Sequence, residues 1–407
     1  MKLLGVVQNN NSELCIVQDK SMNVKIDASC KGSDFPNYKT LINRDSLIGG
    51  EAVEGDGVFN FRYGPVTGGV GEAGIYNIYT YGEKILSVNI DTTYKKRNIE
   101  KLMIGKNPLE SVALAESICG NFAISHSIAF SKAVESISNI KIDDETRILR
   151  GILLELERIY NHIYVIAQLA NGAAQKVLSS HLYYLFEESL RANESFTGDR
   201  FLTNINQIGK LDISLSYEKK KDLLLRLQNI KSRFEDLYSG SLQSGNFLDR
   251  LHNTGIITAQ KAVEIGLSGP SCRASGIAED LRTNDYENFE VISKKEGDSL
   301  SRMEVRAYEI LDSIKFIEKN VENLDTSKEK AQRLDISDGS CVEAVESPSG
   351  TMAYYVEIEN SKIKNIYVVT PSVTGFKAIA DSLVNQIFTD FVFTVESFGV
   401  NFADAAR

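Results

Sequence analysis

Between residues 148 and 166, apolar side chains recur at Ile148, Leu149, Ile152, Leu153, Leu156, Ile159, Tyr160, Ile163 and Ile166. Steps of three and four residues put them on one helical face, which predicts a long amphipathic helix ending near Gly172. Comparable stripes over residues 108–139, 178–204, 217–238 and 299–323 predict a central helical bundle. Before the bundle the period is two. Residues 3–7, 14–18 and 23–27 read as short strands joined by polar turns, with a Gly-rich stretch after them. Residues 74–81 and 84–91 flank Gly82-Glu83 and alternate as a half-buried hairpin does. A loop-rich stretch surrounds Gly269-Pro270-Ser271; further on, residues 352–358 and 363–369 read as strands and a helix starts near residue 374. The expected fold class is α+β: a small β element to about residue 60, a long-helix bundle, and C-terminal strands with a helix that returns to the bundle.

Composition narrows the function classes. The chain has 407 residues, 43% hydrophobic and 25% charged, enough for a sizeable core. Its net charge of −10 argues against general nucleic-acid binding, which needs Lys and Arg to displace counterions from phosphates. Runs such as Lys219-Lys220-Lys221 and Lys294-Lys295 read as solvated surface. No apolar run reaches the roughly 18–20 residues of a membrane span, so membrane attachment is expected only through partners. The N-terminus turns polar before a signal-peptide core develops. Cys15, Cys30, Cys119, Cys272 and Cys341 form no C-x-x-C pair, which fits a reducing cytosolic compartment better than a disulfide framework or zinc ribbon. No two of His126, His162, His181 and His252 stand at helical ligand spacing. Gly69-Val70-Gly71-Glu72-Ala73-Gly74 satisfies G-x-G-x-x-G, but strands follow where a dinucleotide site needs a helix, so a glycine-only backbone turn is the better account.

The informative constellation starts at Asp91-Thr92-Thr93-Tyr94-Lys95-Lys96-Arg97-Asn98-Ile99-Glu100-Lys101 and runs into Ala115-Glu116-Ser117-Ile118-Cys119-Gly120-Asn121-Phe122-Ala123-Ile124-Ser125-His126. It resembles the large-subunit family of energy-converting membrane [NiFe] hydrogenases, with signatures G-Y-x-H-R-G-x-E-K and E-R-I-C-G-x-C-S-x-x-H. That family is homologous to the subunit forming the quinone chamber of respiratory complex I. Further matches follow in order: Glu157-Arg158-Ile159-Tyr160-Asn161-His162, Phe186-Glu187-Glu188 through Gly198-Asp199-Arg200-Phe201, and Gly269-Pro270-Ser271-Cys272-Arg273-Ala274-Ser275-Gly276 with Asp280 and Arg282. Gly297-Asp298 with Arg302 and Arg306, then Glu346-Ser347-Pro348-Ser349-Gly350 and Pro371-Ser372, complete them. The resemblance spans about residues 60–407, and residues 61–407 are expected to form one hydrogenase large-subunit-like domain. Residues 1–60 then read as a separate element, a candidate remnant of the neighbouring hydrophilic subunit.

The departures carry as much information. A [NiFe] centre of this family needs four thiolates, two from each C-x-x-C pair. Cys119 matches the first position, Phe122 stands at the second, and the C-terminal D-P-C-x-x-C-x-x-R pattern is replaced by Gly399-Val400-Asn401-Phe402-Ala403-Asp404-Ala405-Ala406-Arg407. Both bridging thiolates are gone, and Asp404 is a hard oxygen ligand, so neither a NiFe centre nor hydrogenase activity is expected. The resemblance implies a vacated pocket lined by Cys119, Phe122, Asn401 and Asp404, with Arg273 and Asp280 as ion-paired support. Glu100 matches a proton-gate glutamate; the alternative is a helix-start carboxylate paired with Lys101 or Arg97. Cys119 reads either as a chamber thiol or as a small packed hydrophobe, and His126 as a hydrogen-bonded packing histidine about two helical turns from it. Thr67 replaces a family histidine, which weakens a quinone site. The chain ends at Arg407, where related hydrogenases end after a maturation peptidase acts; an encoded and a processed terminus both fit.

The function implied is that of a large core subunit in a membrane-associated, complex-I-like oxidoreductase or ion-translocating complex. Alternatives are a redox-inert subunit coupling soluble and membrane arms, and a quinone-oxidoreductase-type subunit with a small substrate in its chamber. Expected partners are a small iron–sulfur subunit, which would carry the cluster, a complex-I-like hydrophilic subunit and antiporter-like membrane subunits. No cofactor is expected on this chain itself. The location implied is the cytoplasmic side, peripheral on the inner face of the membrane.

Overall fold

A computed structural model describes residues 1–9, 12–42, 47–66, 72–324 and 334–407. Strands β1 (Lys2–Asn9), β2 (Ser12–Gln18) and β3 (Val24–Asp27) form an antiparallel sheet in sequence order, followed by the short helix α1 (Tyr38–Ile42). A second antiparallel sheet has the order β4-β7-β6-β5, from β4 (Ile48–Gly49), β5 (Val58–Tyr63), β6 (Ile75–Tyr81) and β7 (Lys84–Asp91). The bundle holds α2 (Ile99–Met103), α3 (Pro108–Glu116), α4 (Ala123–Ser138), α5 (Asp144–Gly172) and α6 (Lys176–Thr197). A small ribbon of β8 (Asn206–Gln207) and β9 (Lys210–Leu211) leads into α7 (Tyr217–Ser241). Short helices α8 (Gly245–Leu251), α9 (Ala259–Ile265), α10 (Gly269–Ala274) and α11 (Arg282–Asp285) precede α12 (Ser299–Val321). A third antiparallel sheet, β10 (Gly339–Ser347), β11 (Gly350–Glu359) and β12 (Lys362–Val369), is followed by α13 (Pro371–Leu383), α14 (Phe391–Phe398) and α15 (Phe402–Ala406).

The long helix α5 forms because both its ends and its interior agree. The Asp143 carboxylate accepts from the Thr146 amide at 2.7 Å, Asp144 and Glu145 sit in the positive first turn, and the apolar stripe runs unbroken behind them. Its apolar face packs against α6 and α12, and Leu153, Leu156, Ile310 and Ile314 are sealed in the largest core. Alternation along β11 divides the third sheet between two cores. Met352, Tyr354 and Val356 face the bundle, whereas Ala353 and Tyr355 pack with Leu4, Val7 and Ile16 of the first sheet. The second sheet lays Tyr76, Ile78, Val88 and Ile90 against Phe376, Ile379, Phe391 and Phe402 of the C-terminal helices.

Two expectations change. The stripe over 108–139 is not one helix: α3 stops at Glu116, Cys119 is extended, and a single 3-10 turn at Gly120–Phe122 precedes α4. Cys119 and His126 therefore do not share a helix, and the two-turn separation does not apply. The stretch around Gly269-Pro270-Ser271 is helical in α10, because Pro270 falls where its missing N–H costs nothing. Thr67, Gly69 and Gly71 lie outside the described residues.

Candidate functional site

The break between α3 and α4 brings the Cys119 thiol and the Phe122 ring inward, at 2% and 1% exposure. Opposite them stands α15. Its first amides, Phe402 and Ala403, donate to one oxygen of Glu72, whose other oxygen lies 3.8 Å from Lys95 Nζ. Burial raises the Glu72 carboxyl, with Lys95 opposing. The approach to α15 is so close that a Cβ on Gly74 would stand 2.1 Å from the Phe402 ring, which accounts for glycine there. Asn121 Nδ2 donates to Asn401 Oδ1 at 3.0 Å and ties the 3-10 turn to the start of α15.

Asp404 and His126 are completely buried. His126 bridges two groups: its Nε2 is 3.1 Å from Asp404 Oδ1 and its Nδ1 is 2.8 Å from the Tyr354 hydroxyl on β11. Asp404 Oδ2 accepts no hydrogen bond among the described residues. Burial pushes the Cys119 thiol well up, and Asp404 and Glu72 add to the push, so it is a neutral thiol. Tyr354 is likewise held as a neutral phenol by burial, Glu100 and Asp404. Cys119, Glu72, Asp404, His126 and Tyr354 thus gather around the turn and α15. Glu100, half-buried, accepts from the Val368 amide of β12 at 2.7 Å.

A second buried cluster lies between α5, α10, α12 and β10. Arg273 reaches Asp280 at 3.0 Å, Glu309 at 2.7 Å and Glu346 at 2.8 Å. Arg282 holds Asp280 at 2.7 Å and Glu155 at 3.3 Å, while Arg158 holds Glu155 at 3.0 Å and donates to the Glu346 and Ser347 carbonyls. His162 is 2.9 Å from Glu309, and its other nitrogen is 3.0 Å from Arg306. Burial lowers His162 to about 3, so it is neutral and four guanidinium groups face four carboxylates. The Gly399 backbone fits against Arg306: a Cβ there would stand 2.6 Å from Nη2.

At the four positions where the resemblance would put thiolates, the chain carries the thiol of Cys119, the phenyl ring of Phe122, the amide of Asn401 and the carboxyl group of Asp404, a set that does not fit a nickel–iron pair. Among the described residues, no three His, Cys, Asp or Glu side chains converge as a metal site requires. What the arrangement offers is proton chemistry: a carboxylate, an imidazole and a phenol in direct hydrogen-bonded sequence. Sequence reasoning singled out Glu100, Cys119, Phe122, Asn401 and Asp404, and placed Arg273 with Asp280. It passed over Glu72, Tyr354 and Glu309, whose partners lie 330, 228 and 147 residues away in the chain.

Comparison with known proteins agrees with this architecture. Residues 179–337 match the family model described as respiratory-chain NADH dehydrogenase, 49 Kd subunit, and residues 97–171 match the nickel-dependent hydrogenase model. The carbon monoxide-induced hydrogenase of Rhodospirillum rubrum is 28% identical over 74% of this chain and 85% of the relative. A subunit of the NADH-quinone oxidoreductase of Clostridium beijerinckii is 27% identical over 78% of this chain and 90% of the relative. The membrane-bound hydrogenase subunit alpha of Pyrococcus furiosus is 24% identical over 72% and 74%. A solved chain from the membrane-bound sulfane sulfur reductase, an archaeal respiratory membrane complex, superposes with a TM-score of 0.81 at 21% identity, covering 86% of this chain and 98% of that one. No helix among the described residues is long and apolar enough to cross a membrane. Over successive segments the chain is thus similar to the nickel-dependent hydrogenases and to the 49 Kd subunit of respiratory-chain NADH dehydrogenase.

Proposed function

We propose that this chain is the large core subunit of a membrane-associated, complex-I-like respiratory complex, and that its former metal pocket now handles protons instead of holding nickel and iron. The observation that carries the reading is the replacement of the second thiolate position in each pair. Phe122 fills one with a buried ring, a burial worth roughly 2–3 kcal/mol, and Asp404 at the other is hydrogen-bonded to His126. Electrons would arrive from an iron–sulfur cluster in a small partner subunit. Asp404, His126 and Tyr354 would supply protons to the acceptor, and Glu100 would pass protons onward to membrane subunits of antiporter type. A complex-I-like hydrophilic subunit would complete the soluble arm, docked on the inner face of the membrane.

The test is purification of the intact complex, followed by nickel quantification, a dihydrogen assay and reduction of a panel of acceptors. Polysulfide heads the panel because a structural neighbour is named a sulfane sulfur reductase. The expected result is nickel far below stoichiometry, no dihydrogen, and turnover with an acceptor in the panel. Stoichiometric nickel with dihydrogen evolution overturns the reading. In the same complex Glu100→Gln is expected to abolish coupled ion movement; unchanged transport removes Glu100 from the proton route.

The sealing of Asp404 and His126 favours a second reading, a redox-inert subunit that transmits conformational change between the arms. Asp404→Asn separates the two. It lowers acceptor reduction under the first reading and leaves it unchanged under the second.

A further inference from the structure

A small cavity lies where the first sheet, β12 and the start of α13 meet. Its volume is about 10 Å³, and Leu4 of β1, Leu41 of α1, Val369 of β12, Val373 of α13, Thr370 and Arg407 line it, all of them buried. Four of these residues are hydrocarbon. The other two bring polar groups into a dry interior. Thr370 is 3% exposed, and its Oγ1 is buried without a hydrogen-bond partner among the described residues. It stands at the N-cap of α13, where a threonine hydroxyl ordinarily accepts from a first-turn amide, yet its side chain makes no capping bond. Arg407 contributes a guanidinium, whose Nη1 donates to the Val368 carbonyl at 3.1 Å. Buried hydroxyls are almost always paired, with protein or with ordered water.

We propose that this cavity is a binding site for one ordered water, held between the Thr370 hydroxyl and the Arg407 guanidinium. The space is that of a single water, and two polar side chains meet the minimum that a buried water needs. A purely apolar cavity of this size would stay dry. The water accepts from a guanidinium N–H and exchanges a hydrogen bond with the hydroxyl, which satisfies the group that α13 leaves over. Its place gives it a role. Val368 offers its carbonyl to Arg407 and its amide to Glu100, at 3.1 and 2.7 Å, so a water that fixes the guanidinium also steadies the peptide on which Glu100 hangs. The site does not depend on which acceptor the pocket serves.

The experiment is a density map of the intact complex at a resolution that shows ordered solvent. The expected result is a peak within hydrogen-bonding distance of both Thr370 Oγ1 and an Arg407 nitrogen; a well-resolved cavity without that peak overturns the proposal. Thr370→Val keeps the shape and removes the hydroxyl, so it is expected to lose the peak, and Thr370→Ser to keep it. A thermal melt of the same complex gives an independent reading with opposite signs. In a dry cavity Thr370→Val deletes an unsatisfied hydroxyl and raises the midpoint; with water bound it deletes a hydrogen-bond partner and lowers it. A fall is expected, and an unchanged or raised midpoint overturns the proposal. Crystals of the complex grown in bromide are expected to show no anomalous peak in the cavity; a peak there assigns the site to a halide and overturns the water.

Discussion

Glu155 and Glu157 stand two residues apart on α5, both sealed from solvent, and they titrate in opposite directions. Burial would raise Glu155, but Arg158 and Arg282 overcome it and hold the carboxyl below its ordinary value. Glu157 points the other way, toward the start of α4, where it accepts from the Ile124 and Ser125 amides and the Ser125 hydroxyl. Burial raises it to about 8, and these dipoles reverse only part of the rise. The difference separates two regions. The cluster around Arg273 compensates charge with charge; the pocket side holds its acids with dipoles, an imidazole and a half-buried lysine. The first suits a framework and the second suits groups that must gain and lose protons. Glu346 marks the edge of the framework, since burial and Asp280 push it up even with Arg273 at 2.8 Å.

The framework is the side where one substitution does most damage. Arg273→Ala strands Asp280, Glu309 and Glu346 in a dry interior, and the expected loss is about 3–5 kcal/mol in urea denaturation, or failure to accumulate folded chain. A loss below about 1 kcal/mol would mean that the remaining guanidinium groups can absorb all three acids, and the contrast between the regions would fail.

A smaller, pH-dependent effect is expected on the pocket side. Between the ordinary glutamate value and about 8, the folded chain keeps a proton on Glu157 that the unfolded chain has released, so stability falls as pH rises across that window and levels off above it. Glu157→Gln mimics the protonated acid. Relative to wild type it is expected to gain roughly 1–3 kcal/mol at pH 8 and little at pH 5, read from paired urea midpoints. Equal differences at both values would place a proton on neither state.

How much of this was legible in the chain depended on the range of the interactions. The stripe of α5 announces itself because a helix is local and its apolar face repeats every few residues. The pair Arg273 and Asp280 was legible from a motif, being seven residues apart on one loop system. The acids completing the cluster, Glu155 and Glu309, sit in helices whose charge pattern looks like solvated surface until α5 and α12 pack together. The five-residue α15 has too few residues to form on propensity, and the Glu72 carboxylate from a distant loop supplies its first bonds. The strand β10 escaped notice because Glu343 and Glu346 interrupt its apolar alternation; Glu346 is inside only because Arg273 meets it.

The least disruptive substitution asks the sharpest question. Asp404 is as buried as Asp280, yet Asp280 is clamped by two guanidinium groups whereas Asp404 meets an imidazole through one oxygen and leaves the other without a hydrogen bond among the described residues. Asp404→Asn keeps an oxygen for His126 and breaks no ion pair with a guanidinium group among the described residues, so stability is expected to stay within about 1 kcal/mol of wild type or to rise. Asp280→Asn, the same chemical change inside the framework, is expected to cost about 3 kcal/mol or more because it leaves Arg273 and Arg282 undercompensated. Urea denaturation of the two variants side by side reads the contrast directly. Equal losses would mean that Asp404 is also held by a full countercharge, and a carboxylate fixed in that way could not serve as a proton donor at the pocket.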